Sequence, residues 1–261
     1  MRVARGLEHV VPSSDPAFVV VGVFDGLHLG HAYLLEHLVA EARRRHARPV
    51  VITFDHHPDE ILTGSAPPLL CDPEERLERL EAAGVDMTVV VHFDQRLRET
   101  TYGAFVDMVT ARGPISGFLM TPDAAFGYRR AGTPEALRTL GREAGFEVVV
   151  LPPFALEGHA VRSTEVRTAI AAGDLALASR LLGRHHAVVG DVAEARQGTQ
   201  LRFPLPVALP PDGEYDVRVG RDTDPHDAIA TVERGVVRLP DALLGPRVRV
   251  AFLSTRGPAS I

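Results

Sequence analysis

Apolar runs alternate with helical patterns along the chain as far as Leu151. The runs predict five buried strands, at residues 18–24, 49–54, 87–93, 118–120 and 147–151. Between them, apolar residues recur at three- and four-residue steps, which predicts helices at 29–46, 72–84, 101–111 and 134–144. Residues 1–17 are expected to be a short lead-in. Strands that alternate with helices form a parallel sheet with helices on both faces, so the pattern predicts an α/β fold.

The pattern changes after the fifth strand. Two short helices are expected there, one opening at Ser163 or Thr164, either of which can cap it, and one ending at Gly183. Further along, short β-type runs are separated by glycine, proline and aspartate, which predicts a small all-β region. We therefore expect two domains, one of residues 1–185 and a small C-terminal β domain of residues 186–261.

The stretch from residue 18 to residue 31, FVVVGVFDGLHLGH, joins the first strand to the first helix. Its glycines permit a sharp turn and the close approach of a ligand to the backbone. The start of the helix presents N–H groups and the positive end of the helix dipole, which together favour phosphate. His28 lies in the turn and His31 in the opening of the helix, so both can add donors aimed at the same charge.

Two histidines at this spacing also fit a surface pair or half of a metal site. The position of His28 and His31 between a buried strand and an amphipathic helix favours the phosphate site. Two further loops are rich in charged, histidine or aromatic residues. They are 55–58 after the second strand and 121–130 after the fourth. Because ligands of parallel sheets bind beyond the carboxyl ends of the strands, we expect a ligand beside these loops.

Composition and charge narrow the possible functions. The chain has 261 residues, of which 45% are hydrophobic and 24% charged, and a net charge of −6. This charge, and the lack of a basic run beside aromatic residues, argues against a nucleic-acid partner. The single cysteine, Cys71, excludes a disulfide framework and a cysteine zinc site. Neither an apolar leader nor a run of ~20 apolar residues occurs, so we expect a cytoplasmic protein with no membrane partner.

Several segments resemble the prokaryotic FAD synthetase family, the bifunctional riboflavin kinase/FMN adenylyltransferases. The segments are VGVFDGLHLGH (21–31), TFDHHP (53–58), FGYRRAGT (126–133), RSTEVR (162–167) and GDLALASRLLGRHH (173–186). Their order and spacing make the resemblance specific. It implies a nucleotidylyltransferase fold with a Rossmann-like parallel sheet. It also implies transfer of AMP from ATP to a phosphate monoester, with release of pyrophosphate and with Mg²⁺ as cofactor.

The resemblance also implies roles for individual residues. The residues implied to act on the ATP phosphates in catalysis are His28, His31 and Arg167. Those implied to bind or shape the nucleotide site are Gly22, Phe24, Asp25, Gly26, His57, Ser163 and Thr164. The loop after the fourth strand is implied to bind the acceptor through Asp123 and Phe126. The metal ligands are not implied by any of these segments.

The sequence departs from the family's pattern in the acceptor loop, in the C-terminal region and at Arg162-Ser163, where the family usually has a pair of serines. In the acceptor loop, Thr121 stands where the family usually has glycine, and Ala124 stands where it usually has phenylalanine. In the C-terminal region, Leu205 and Val207 replace the threonine and asparagine by which the family's kinase module binds Mg-nucleotide. We therefore expect the β region to be a truncated kinase-like module without riboflavin kinase activity.

These observations leave three functions to separate. The first is transfer of AMP from ATP to FMN, giving FAD and pyrophosphate. The second is nucleotidyl transfer to another phosphorylated small molecule, which the changed acceptor loop allows. The third is a non-catalytic relative that only binds nucleotide, although a protein that only binds has no need of the full set of phosphate-binding residues.

Overall fold

A computed structural model of the protein describes residues 1–194, 198–220, 225–240 and 245–256. Packing divides the chain into two compact units. The first unit consists of residues 1–24, 30–67 and 73–155; the second consists of residues 25–29, 68–72 and the described part of the chain from Leu156 onward. Among the described residues, no helix is long and apolar enough to cross a membrane.

The first unit is built on a sheet of six parallel strands in the order β1-β4-β3-β2-β5-β6. The strands are β1 (Arg2–Arg5), β2 (Ala17–Val21), β3 (Arg48–Phe54), β4 (Met87–Val91), β5 (Ile115–Met120) and β6 (Glu147–Val150). The chain runs outward from β2 to β3 and β4 on one side, and to β5 and β6 on the other. The order therefore reverses between β2 and β5, where open parallel sheets hold their ligands. The predicted α/β class is confirmed.

Helices connect these strands. They are α1 (Leu29–Arg44), α2 (Pro58–Thr63), α3 (Pro73–Ala82), α4 (Gln95–Glu99), α5 (Tyr102–Thr110) and α6 (Pro134–Ala144). Helix α6 matches its predicted bounds because its signals are local: Thr133 caps the N–H of Ala136, Pro134 opens the helix and Gly145 ends it in the left-handed region. Buried Arg76 on α3 donates to the carbonyls of Val23 and Phe54, at 3.1 and 2.9 Å, just beyond β2 and at the end of β3.

The second unit contains a closed barrel of six antiparallel strands. They are β9 (Ala187–Glu194), β10 (Thr199–Arg202), β11 (Gly213–Val219), β12 (His226–Glu233), β13 (Val236–Leu239) and β14 (Arg247–Thr255). In β11, Tyr215, Val217 and Val219 point into the barrel core, and Asp216 and Arg218 alternate with them. The predicted small β region is confirmed. Before the barrel come the short strands β7 (Ala155–Leu156) and β8 (His159–Ala160) and the helices α7 (Ser163–Ala171) and α8 (Leu175–Leu182).

Several elements differ from the predictions. Strand β1 lies in the segment that was expected to be a lead-in, and α2 and α4 were not predicted at all. Strand β2 ends at Val21 instead of residue 24, because Phe24 takes a left-handed backbone conformation that a strand excludes. The division into domains at residue 185 stays a prediction, since packing groups residues 25–29 and 68–72 with the later part of the chain.

Candidate active site

The turn after β2 has an unusual backbone. Phe24 and Leu27 have φ angles of 54° and 39°, which are rare for residues with side chains, and Gly26 has a φ of 79°. A Cβ atom on Gly26 would lie 2.9 Å from Cβ of Leu70, so a side chain there is excluded by space as well as by conformation. Such strain persists only where surrounding contacts fix it, and it is concentrated at functional sites.

Asp25, which lies in this turn, makes several contacts within the second unit. Its side chain is buried, and its two carboxylate oxygens accept the backbone N–H of Leu70 at 3.0 and 3.1 Å. Arg167 Nη2 lies 2.6 Å from Oδ2 of the same carboxylate, and Arg167 Nε donates to the carbonyl of Pro68 at 2.8 Å. The hydroxyl of Ser163 donates to the backbone carbonyl of Asp25 at 3.1 Å. Three segments distant in sequence therefore meet at one residue of the turn.

Arg184 holds the other side of the turn. Its Nη2 donates to the carbonyl of Gly26 at 2.6 Å, and its Nη1 donates to the carbonyl of Leu27 at 3.2 Å. Sequence reasoning gave Arg184 no role, although it lies within the segment 173–186 that carried the family resemblance. The only local signal was that an arginine directly follows the glycine that ends a helix. That signal does not reveal its partner, because the turn that Arg184 contacts lies more than 150 residues away in the sequence.

His28 is buried beside these two arginines, with 4% of its surface exposed. Burial, followed by the positive charges of Arg184 and Arg167, lowers the pKa of His28 from 6.5 to about 4. The imidazole is therefore neutral at physiological pH. A neutral imidazole presents one N–H donor and one acceptor.

The N-terminus of α7 differs from the prediction. Arg162 occupies the N-cap position without a side-chain capping bond, and Ser163 and Thr164 are the first helical residues. The expected cap by Ser163 or Thr164 is thus wrong, because Ser163 directs its hydroxyl to the carbonyl of Asp25 instead. The first N–H groups of an α-helix have no partner within the helix, so a helix opening that lacks a capping bond from its N-cap residue suits an anion.

The first unit contains the remaining nucleotide-site candidates. Gly22 donates its N–H to the carbonyl of Ile52 at 3.0 Å, and a Cβ on Gly22 would lie 3.0 Å from the ring of Phe24. The ring of His31 lies 5.1 Å from that of Phe24. His57 caps α2, since its Nδ1 accepts the N–H of Asp59 at 3.2 Å.

A cavity of about 710 Å³ lies at the carboxyl ends of β2 and β5 in the first unit. Its volume is in the range of small-molecule sites, and its position is the point where the strand order reverses. The aromatic side chains that line it are Phe54, Phe93, Phe105, Phe118, Phe126 and Tyr128. Phe126 packs against Phe105 and Phe118, with ring centroids 5.2 and 5.9 Å apart, which fixes its orientation.

The loop between β5 and α6 supplies much of this cavity. Ala124 lines the cavity, whereas Asp123 lies outside the lining and accepts a hydrogen bond from the hydroxyl of Thr121 at 2.8 Å. Arg129 and Arg130 line the cavity and both have left-handed φ angles, of 53° and 56°. Arg130 Nη2 donates to the carbonyl of Asp123 at 2.9 Å. The lining thus combines apolar walls with arginine side chains, to which Arg98 of α4 adds a third.

Comparison with known proteins identifies the family. The sequence model of the FAD synthetase family matches residues 11–165. A bifunctional riboflavin kinase/FMN adenylyltransferase of Escherichia coli (strain K12) is 32% identical over 243 residues, which cover 89% of this chain and 78% of the relative. The chain belongs to the FAD synthetase family.

Further relatives agree with this assignment over most of the chain. A bifunctional riboflavin kinase/FMN adenylyltransferase of Haemophilus influenzae is 29% identical over 236 residues, covering 89% of this chain and 74% of the relative. A crystal structure described as a macrolide-efflux protein from Streptococcus pneumoniae superposes with a TM-score of 0.82 at 25% identity. The superposed region covers 98% of this chain and 90% of the chain in that crystal structure. That structure therefore has a fold similar to that of this chain.

The second unit of this FAD synthetase family member contains a larger cavity, of about 1100 Å³. Its lining includes Arg167 and the segment from Arg202 to Pro210. The segment pairs with the residues beyond Pro68, since Leu69 N donates to the carbonyl of Pro206 at 2.8 Å. Leu205 and Val207 both line this cavity, and neither side chain offers an oxygen to a cation or a nucleotide.

The turn does not offer a Mg²⁺ site of its own. Mg²⁺ is held through oxygens, mostly of carboxylates, phosphates and water. The carboxylate of Asp25 is already engaged by Leu70 and Arg167, and the carbonyls of Gly26 and Leu27 accept from Arg184. The other side chains of the turn region are imidazole, guanidinium and hydroxyl groups, so this donor set fits an anion better than a hard cation.

The lowered pKa of His28 implies that the free energy of unfolding depends on pH. We expect the free energy of unfolding to be fully maintained above pH 6.5 and to fall as the pH drops toward 4, because only the unfolded chain takes up the proton of His28 in that window. The pKa difference corresponds to about 3 kcal/mol. Urea titrations of the wild type and of His28→Gln at about pH 7 and about pH 5 measure this contribution.

A matched variant isolates the effect from the titration of other groups. His159 is exposed, so His159→Gln should keep the pH dependence of the wild type. His28→Gln should lose the part that His28 contributes and show a shallower fall. An equally steep fall in His28→Gln and in the wild type would contradict the burial of a neutral His28.

Proposed function

We propose that the protein transfers AMP from ATP to FMN, giving FAD and pyrophosphate. The observation that carries the proposal is the aromatic-lined cavity of about 710 Å³ at the carboxyl ends of β2 and β5, in a chain that belongs to the FAD synthetase family. A flat apolar ring system suits walls formed by several phenylalanines. Arg98, Arg129 and Arg130 supply positive charge in the same lining for the phosphate of FMN.

The reaction joins two phosphates. An oxygen of the FMN phosphate attacks the α-phosphorus of ATP, a new phosphorus–oxygen bond forms, and the bond from the α-phosphorus to the bridging oxygen of the β-phosphate breaks. The electron pair of that bond leaves with pyrophosphate. No nucleophile of the protein is needed, so the protein's contribution is to position the phosphates and to stabilise the charge that develops on them.

Donors of the turn region supply that stabilisation in our proposal. Neutral His28 offers an N–H to a phosphate oxygen without bringing an additional buried charge. Arg184 and Arg167 are fixed by carbonyl groups and by Asp25 before any ligand binds, so they need little rearrangement. We assign His31, His57 and the opening of α7 at Ser163 and Thr164 to the ATP phosphates as well. Gly22 and Phe24 are assigned to adenosine.

Asp123 and Phe126 divide the acceptor role. Phe126 lines the cavity, so we assign it a direct contact with the flavin ring. Asp123 is tied to Thr121 and, through its carbonyl, to Arg130. Its role in the proposal is therefore to hold the acceptor loop and to place Arg130.

A direct assay tests the proposal. The purified protein is incubated with ATP, Mg²⁺ and FMN, and both FAD and pyrophosphate are measured. Equal amounts of the two products support FMN as the acceptor. Pyrophosphate release with another phosphorylated acceptor but not with FMN would favour the wider nucleotidyl transfer. Binding of ATP without pyrophosphate release from any acceptor would favour a relative that only binds nucleotide.

Substitution of the two histidines should lower turnover without unfolding the protein. We expect His28→Gln and His31→Gln each to reduce kcat by about 10²–10³, the usual loss when a donor to a developing negative charge is removed. His37 lies on the same helix as His31, but its Nδ1 donates to the carbonyl of Tyr33, so His37→Gln is the matched control and should keep full activity. Full turnover in both site variants would refute their assignment.

Ala124 offers a test of the acceptor. A phenylalanine in its place restores the aromatic that the family usually carries, and the cavity provides room for it. Stacking on an aromatic is worth about 1–3 kcal/mol in nucleic-acid sites, so Ala124→Phe should tighten FMN binding roughly ten- to a hundredfold on that scale. Quenching of flavin fluorescence measures the affinity. Ala131→Phe, at an exposed position of the same loop, should change nothing.

Two outcomes of the Ala124→Phe experiment would contradict the prediction. If neither the wild type nor Ala124→Phe binds FMN while both still bind ATP, the acceptor is not a flavin. If Ala124→Phe and Ala131→Phe shift FMN affinity equally, the loop does not contact the flavin ring.

Riboflavin kinase activity should be absent. We expect no FMN from riboflavin and ATP, because Leu205 and Val207 lack the oxygens with which the family's kinase module binds Mg-nucleotide. Chromatography of the flavins separates the substrate from the product. The same preparation, supplied with FMN, serves as the positive control for adenylyl transfer. Formation of FMN at a rate comparable to that of FAD would overturn the prediction.

A further inference from the structure

Three potential metal-binding side chains meet in the first unit, beyond the ends of β3 and β4. They are Asp55, His56 and His92, and each offers one ligand atom within 4.8 Å of the other two. Asp55 and His56 follow β3 directly and His92 follows β4 directly, and these strands are parallel neighbours. The sheet itself therefore brings the three residues together, without dependence on a long loop.

The carboxylate of Asp55 is held in place by the backbone. Its Oδ1 accepts the N–H of His56 at 2.7 Å and the N–H of Phe93 at 3.2 Å. Its Oδ2 lies 2.6 Å from Nδ1 of His92, where one proton separates the two atoms. An oxygen and a nitrogen that share a proton in this way can share a metal ion in its place, at the price of a small separation of the two groups.

His56 is oriented by a second carboxylate. Its Nδ1 lies 3.2 Å from Oε2 of Glu60, one helical turn further along the chain. A hydrogen bond at Nδ1 leaves Nε2 as the metal-binding nitrogen, and histidine ligands in proteins are usually oriented by such a carboxylate. The rings of His56 and His92 lie edge to face with centroids 5.7 Å apart, so the two imidazoles are neighbours.

We propose that Asp55, His56 and His92 bind one divalent transition-metal ion of the Zn²⁺ type. Two imidazole nitrogens and one carboxylate oxygen suit Zn²⁺, Co²⁺ or Ni²⁺, whereas Mg²⁺ and Ca²⁺ prefer oxygen ligands throughout. Three protein ligands leave at least one position for water or another small ligand. The proposal does not rest on the proposed function, because none of the three residues lines the cavity of about 710 Å³ or belongs to the turn after β2.

Metal titration of the full chain, purified without a histidine tag and treated with a chelator, tests the site. Co²⁺ serves as the probe, since its visible absorption reports the nitrogen and oxygen ligands around it, and Zn²⁺ serves as the competitor. We expect one equivalent of Co²⁺ to bind and to be displaced by Zn²⁺. Binding of several equivalents with equal affinity, or no absorption band, would overturn the proposal.

Variants assign the binding to these residues. His92→Asn and His56→Asn should each abolish the one-equivalent absorption band. Glu60→Gln should keep the band but weaken binding by about 10–100-fold, the usual loss when the partner of a ligand histidine is removed. His9→Asn is the matched control: His9 is exposed and bonded to the carbonyl of Arg5, away from the cluster, so this variant should bind as the wild type does.

The folding of each variant is checked by its melting curve in chelator, which should match that of the wild type. A band that survives in both His56→Asn and His92→Asn places the ion elsewhere and refutes the site. Equal Co²⁺ affinity in Glu60→Gln and the wild type refutes the orientation of His56 by Glu60.

Discussion

The conformation of the turn after β2 depends on the buried carboxylate of Asp25. A buried charge is costly unless it is paired and hydrogen-bonded, and Asp25 meets both conditions through Arg167 and the N–H of Leu70. Removal of one partner from such a pair leaves a buried charge at a cost of about 3–5 kcal/mol. Asp25 lies in the same turn as Gly26 and Leu27, whose φ angles are positive. Helix α7 and the segment around Leu70 are thereby positioned by one side chain.

The charges around this turn are arranged before any ligand is present. The charge of Arg167 is paired with Asp25, and Arg184 donates to the carbonyls of Gly26 and Leu27, which orient its guanidinium group. Burial, followed by the positive charges of Arg184 and Arg167, lowers the pKa of His28 to about 4 and keeps its imidazole neutral. The negative charge of a phosphate bound nearby would oppose the contribution that the two arginines make to that low pKa. In our proposal the turn therefore recognises phosphate by donors that are already oriented, with little reorganisation on binding.

Features that depend on neighbouring residues could be predicted from the sequence, whereas features that depend on residues far apart in the sequence could not. Helix α6 was predicted within its bounds because Thr133, Pro134 and Gly145 act on neighbouring residues. Strand β1 was missed because RVAR lacks an apolar run, and only its pairing with β4 makes it a strand. The family resemblance singled out His28, Asp25 and Arg167, but their roles stay predictions. The contacts of Arg184 with the turn, and the approach of His92 to Asp55, depend on residues far apart in sequence and were not predictable from local pattern.

The N-terminus of α7 lacks a stabilising cap. A serine, threonine, asparagine or aspartate at the N-cap contributes about 1 kcal/mol to a helix, and this helix has Arg162 there without a capping bond. A capping side chain would occupy the same N–H groups that an anion needs. Engineering for thermostability by the usual helix-cap rules would therefore select position 162 early, and under our proposal the added cap would compete with the ATP phosphates for these N–H groups.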